Sequence, residues 1–209
     1  MAARYHSPMN YLAHTWLARH SDEALLGGLL GDFVHGQVAL QDWPPEVARE
    51  ILLHRRIDRY TDTHPAVTEV RAAFGDLRRY AGIVLDVYFD HRLARDWLRW
   101  NDAPLHEFTQ RVYRVLGEHR DQLPPRLQRI APHMAADDWL GNYRHRDAVD
   151  GAIRGISTRL SRNGDKLRAC LPVLRAHEDK AQAAFEVFFP QLIDATSAMR
   201  TTLWAESAS

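Results

Sequence analysis

Apolar residues recur at helical spacing through nearly the whole 209-residue chain, while alternating strand patterns bounded by hairpin turns are hard to find. That periodicity restricts the fold to the all-α class, because a side-chain period of about 3.6 lays an apolar stripe along a helix, whereas a strand alternates with a period of about 2. Stripes and breakers together predict helices over 9–20, 23–36, 44–62, 65–74, 77–100, 104–121, 125–135, 137–143, 145–161 and 164–206. Ser21 and Asp22 are N-cap types, "WPPE" puts prolines at a helix start, and "NDAP" and "LPPR" separate later helices. Pro172 and Pro190 are expected to bend or break the last segment, since each removes a backbone donor and crowds the preceding turn. The chain has no internal repeat, low-complexity tract or Ser/Gly-rich linker, and 45% of its residues are hydrophobic. The expectation is a single-domain multi-helix bundle over 9–206, preceded by an extension, residues 1–8, that lacks apolar periodicity.

Basic and acidic residues balance at 27 each, so no global charge excess points to nucleic acid or an anionic membrane as partner. The single cysteine, Cys170, excludes an internal disulfide and any zinc site built from a Cys pair, and a reducing cytoplasm is the expected home. No apolar run reaches membrane-spanning length. Ser157, Thr158 and Cys170 have no base at suggestive spacing, which argues against side-chain nucleophilic catalysis. "GGLLG" at 27–31 lacks the Lys-Ser/Thr of a phosphate-binding loop; its glycines lie inside a helical pattern and are expected to permit close helix packing.

Several stripes end in the wrong chemistry for a core. Over 44–62 the face that begins with Val47 and Ile51 continues at the same spacing as His54, Asp58 and Asp62. Over 23–36, Leu25 and Leu29 lead to Asp32; over 77–100, the stripe Ile83, Val87, Ala94 and Trp97 is interrupted by Asp86 and Asp90. Over 9–20, Asn10 and His14 form a further i, i+4 pair. A buried carboxylate without a partner costs several kcal/mol, so this many call for a common counter-charge. Two are available: arginines such as Arg55, Arg56, Arg59 and Arg92, or a divalent metal with mixed His/Asp ligands, the way helical bundles build inward-facing metal sites. His91, beside Asp90, falls on another face and suits a helix-end ligand or a group that orients one.

These same segments carry a family resemblance. "MNYLAHTWLA" at 9–18, "LLGGLLGDFVHG" at 25–36, "HRRIDRYTDTHP" at 54–65 and "LDVYFDHRLARDW" at 85–97 match in order and spacing, and "DWLGNYR" and the overall length agree. The chain resembles the acyl carrier protein phosphodiesterase family, a divergent helical relative of the HD-domain metal phosphohydrolases. Where HD domains carry a central His-Asp dipeptide, this chain offers "DH" at 90–91 and the His54/Asp58 pair. Position 35 is a histidine where the resemblance leads one to expect Lys or Arg.

The resemblance implies a distorted HD-domain-like bundle that hydrolyses the phosphodiester joining 4′-phosphopantetheine to a serine of holo-acyl carrier protein, with Mn²⁺ the expected metal and Mg²⁺ or Fe²⁺ the alternatives. The resemblance carries over motif positions without ranking them as ligands; on this chain the expectation is that Asp32, His54, Asp58 and Asp90 bind the metal, with Arg55 or Arg56 as donor to the phosphoryl oxygens. Asp86 or His14 would orient water or protonate the leaving seryl oxygen, and Asn10, Asp62 and His91 complete the motif positions. Surface arginines at the site mouth, Arg55, Arg59, Arg92 and Arg95, are expected to steer an acidic carrier protein, so that KM rises with salt; a salt-independent KM would remove that role. Two rivals stand beside this reading: a phosphohydrolase acting on a nucleotide or other small phosphoester, and a non-catalytic helical module that binds a carrier protein, its inward acids paired with arginine.

Overall fold

In the computed structural model, which describes residues 11–36 and 38–207, the chain forms α1 (Tyr11–Leu17), α2 (Asp22–Leu30), α3 (Pro45–Thr63), α4 (Pro65–Ala72), α5 (Arg78–Arg95), α6 (Leu105–Glu118), α7 (Pro125–Ala136), α8 (Trp139–Asn142), α9 (Arg146–Arg159), α10 (Gly164–Ala176) and α11 (Glu178–Ser207). No strand occurs among the described residues. Residues 1–8 and Asn10 lie outside them.

Helices start where cap chemistry allows. Ser21 accepts a hydrogen bond from the Ala24 amide at 2.9 Å to open α2, and prolines occupy the first position of α3, α4 and α7, where no intrahelical donor is needed. The predicted helix 23–36 stops early, at Leu30, so Asp32 stands in the turn after α2 instead of on its stripe. Pro172 and Pro190 lie inside α10 and α11, and the chain breaks between them at His177. Apolar side chains on both sides of each proline, Leu171 and Leu174, then Phe189 and Leu192, are buried, and that packing outweighs one missing backbone bond.

The glycines of "GGLLG" set how closely α2 approaches its neighbours. A Cβ on Gly27 would lie 2.6 Å from the Glu50 Cβ and the Val47 carbonyl oxygen, and one on Gly28 would lie 2.9 Å from the Ala18 Cβ. The backbone of α2 therefore sits directly against α3 and the end of α1, as the sequence suggested. α5 is buried along most of its length, and α11 presses Phe185 and Phe189, stacked at 4.9 Å, toward Trp16 and Trp100. The polar ends of the stripes on α1, α2 and α3 meet inside this packing. Among the described residues no helix is long and apolar enough to cross a membrane.

Candidate metal centre

His54 decides what this cluster can bind. Its Nδ1–H donates to the Gly28 carbonyl in the last turn of α2 at 2.7 Å, which leaves Nε2 aimed the other way. There Nε2 meets Asp32 Oδ1 and Asp58 Oδ2, each at 3.4 Å. His14 from α1 stacks its ring on His54 at 3.6 Å and donates from Nε2 to Asp58 Oδ1 at 3.0 Å. One carboxylate thus spans the edges of two stacked imidazoles. Gly31 makes the arrangement possible: a Cβ there would fall 2.1 Å from the His54 Cγ.

Three atoms in this cluster, His14 Nδ1, Asp32 Oδ2 and His54 Nε2, are buried without a hydrogen-bond partner, which is costly unless something else satisfies them. Donor atoms of His14, His54 and Asp58 lie within 4.8 Å of one another, close enough to share one metal ion. Asp32 stands just beyond the C-terminal end of α2, where the helix dipole is already negative, so its charge adds to the need for a cation. The sequence left arginine or metal open as the counter-charge; among the described residues no arginine ion-pairs with Asp32, Asp58, Asp86 or Asp90, whereas Asp62 pairs with Arg71. Nitrogen and oxygen donors of this kind suit Mn, Fe or Zn, and access is open, because the Asp58 side chain is 39% exposed while those of His14 and His54 are at 1%.

The charges in the cluster are coupled. Burial works to depress the His54 pKa, but the Asp58 and Asp32 carboxylates outweigh it and hold the imidazole well above its ordinary value. Burial and the neighbouring His54 charge push His14 down, against the pull of Asp58. The two imidazoles hold the Asp58 carboxyl far below the usual range even though burial opposes them. Two stacked imidazoles do not both carry charge, so one proton is shared over the group, and a metal entering it competes with that proton for the His54 lone pair.

The sequence comparisons bear on the same residues. A family model for acyl carrier protein phosphodiesterase matches residues 9–192. The chain belongs to that family. It is 37% identical to the acyl carrier protein phosphodiesterase of Salmonella agona strain SL483 over 187 residues, 88% of this chain and 96% of that protein. It is likewise 37% identical to the acyl carrier protein phosphodiesterase of Escherichia coli O45:K1 over 195 residues, 90% of this chain and 98% of that protein. No solved structure matches the chain significantly.

Within the family's matched span the structure sorts the expected residues into two groups. His14, Asp32, His54 and Asp58 converge, with His14, assigned from the sequence to water or proton handling, now among the candidate ligands. Asp86 lies beside them, on a cavity of about 20 Å³ shared with His14 and Phe188, room for about one water. Burial, then the Asp58, Asp62, Asp90 and Asp32 charges, push its carboxyl well above the usual range.

Asp90 has gone elsewhere. Its oxygens accept from the Leu12 and Ala13 amides at 3.0 and 2.8 Å, closing the N-terminal end of α1. A carboxylate draws amide donors as readily as a metal, and in a helix pattern the two uses look alike. Asp90→Ala should therefore lower stability by about 1–3 kcal/mol, by stranding two buried amides, while metal still binds. A variant with native stability in urea and no metal would return Asp90 to the ligands.

The remaining expectations also move. Arg55 donates to the Val34 carbonyl at 2.8 Å and so pins the turn that carries Asp32, and Arg56 pairs with Glu206 on α11 at 2.8 Å. Neither guanidinium is directed at the cluster. Asp62 pairs with Arg71 at 2.8 Å, and His91 Nδ1–H donates to the Tyr143 carbonyl at 2.7 Å, apart from the centre. Arg92, expected at the mouth, is buried against Asp96 and Glu186 and cannot steer a partner; Arg59 is exposed. The sequence reading missed the role of Gly31 and the backbone carbonyl of Gly28, for which "GGLLG" was the available signal.

Proposed function

We propose that the chain is a metal-dependent phosphodiesterase that releases 4′-phosphopantetheine from the serine of holo-acyl carrier protein, leaving the apo-protein. Family membership supports the substrate, and the single observation that supports the chemistry is His54 Nε2 turned between two carboxylates, with unsatisfied polar atoms around it. His14, His54 and Asp58, with Asp32 beside them, would hold the ion, Mn²⁺ by preference. A divalent metal there polarises a phosphoryl oxygen and acidifies a water.

The protein's own residues do the rest. Gly28 fixes the His54 tautomer through the Nδ1–H bond, and Asp58 orients both imidazoles. In the net reaction a water oxygen forms a bond to phosphorus, the bond from phosphorus to the seryl oxygen breaks, and that oxygen takes a proton. Asp86 is the proposed proton source, since burial and like charges push its carboxyl well above the usual range and so favour the protonated form. A cytoplasmic carrier protein as substrate fits a chain whose one cysteine is buried and free.

The test is direct. Holo-acyl carrier protein is incubated with the protein and Mn²⁺, and intact mass reports loss of the prosthetic group, with a chelator arm and nucleotide phosphoesters alongside. Turnover that is lost with chelator supports the proposal. Nucleotide hydrolysis without carrier protein turnover would favour the small-phosphoester rival, and no turnover with no metal bound would favour the silent binding module.

A further inference from the structure

A groove of about 540 Å³ runs between residues 33–35, with Ala39, Asp42 and Trp43, on one side and the connection Gln122–Pro125 that joins α6 to α7 on the other. Its volume falls within the roughly 300–1,000 Å³ of small-molecule sites. Phe33, Ala39, Trp43 and Leu123 give it apolar walls, and Asp42 and Gln122 supply polar atoms. It is linked to the candidate metal centre through the chain itself. Phe33 directly follows Asp32, and its ring stacks at 6.0 Å on Tyr11 of α1, three residues before His14. Val34, the next lining residue, is the one whose carbonyl Arg55 holds. Next in the chain after the lining residue Pro125, the Arg126 guanidinium stands 5.6 Å from the Phe33 ring and forms no ion pair among the described residues.

We propose that this groove seats the pantetheine arm of the carrier-bound substrate, with Arg126 beside it facing the phosphate. The inference rests on the function proposed above. The arm is a flexible chain with a phosphate at one end, a branched apolar segment, two amides and a thiol. A phosphate at the metal centre lies near the Arg126 charge, the branched carbon and methylenes cover the Phe33 and Trp43 walls, and the amides reach Gln122 and Asp42. Arg126 thereby takes the anion-facing role that Arg55 and Arg56, tied to Val34 and Glu206, do not fill.

Free pantetheine, titrated into the full chain by ligand-observed NMR, tests the groove without requiring turnover. Ala39→Phe fills the groove and Trp43→Ala removes a wall; each should weaken pantetheine binding by at least about tenfold and lower kcat/KM on holo-acyl carrier protein similarly. If Ala39→Phe fails to fold, Trp43→Ala decides. Holo-protein turnover that is equal in wild type and variants would overturn the groove and leave the function standing. Pantetheine bound by wild type and lost in the variants, without any holo-protein turnover, would keep the groove and sink the function. A wild-type chain that binds no pantetheine, or binds adenosine as well, overturns the groove assignment.

Discussion

Asp58→Asn and His54→Ala should each lower holo-acyl carrier protein hydrolysis by at least about a thousandfold, a loss of roughly 4 kcal/mol of barrier reduction at 1.36 kcal/mol per tenfold. Asp58 pairs with both imidazoles, at 3.0 and 3.4 Å, so an amide in its place keeps the shape and removes the charge that opposes the cation. His54→Ala removes the Nε2 aimed between Asp32 and Asp58 and leaves the Gly28 carbonyl without its donor. Metal analysis of the purified variants should show the ion lost, while far-UV circular dichroism keeps its helical signal, because the α2 and α3 packing around Val47, Ile51 and Leu53 is untouched. A variant that retains both metal and activity would take that residue out of the centre.

Asp86→Asn should lower kcat by about a hundredfold to ten-thousandfold, the range of a single general acid. The pH profile separates this role from a structural one. Burial first, then four neighbouring carboxylates, raise the Asp86 pKa well above the usual carboxylate range, so the group keeps its proton to higher pH than an ordinary carboxyl and loses it as pH rises through the raised value. As a proton donor it gives wild-type kcat an alkaline limb that falls with increasing pH; the asparagine variant, with no proton to lose there, should have a low rate that is flat across the same range. An alkaline limb of the same shape in both proteins would assign the proton to another group, and a wild-type profile that instead rises through this range would make Asp86 a base.

Much of this was legible along the chain. The period of the apolar residues fixes the class, and the cap and proline chemistry at Ser21, Pro45, Pro65 and Pro125 predicts where helices open. The i, i+4 spacing alone places His54 and Asp58 on one face of α3, because that face is set by the helix's own geometry. The family could likewise be named from four short motifs. What spacing within one helix cannot say is which faces of different helices meet.

Tertiary structure made those choices, and backbone approach is the physical reason for several of them. Glycine at 28 and 31 lets α2 come close enough that its Gly28 carbonyl fixes the tautomer of His54 and the His54 ring fits beside Gly31. With α1 packed against α2 and α5, His14 lands face to face on His54, a juxtaposition across 40 residues that no periodicity encodes. The same docking brings the open N-terminal amides of α1 to Asp90, and a buried carboxylate that finds two donors is satisfied without a cation. The sequence by itself determined the helices and the supply of inward acids. Their division between amide donors and the candidate metal centre was decided by which partner each carboxylate met once the helices had packed.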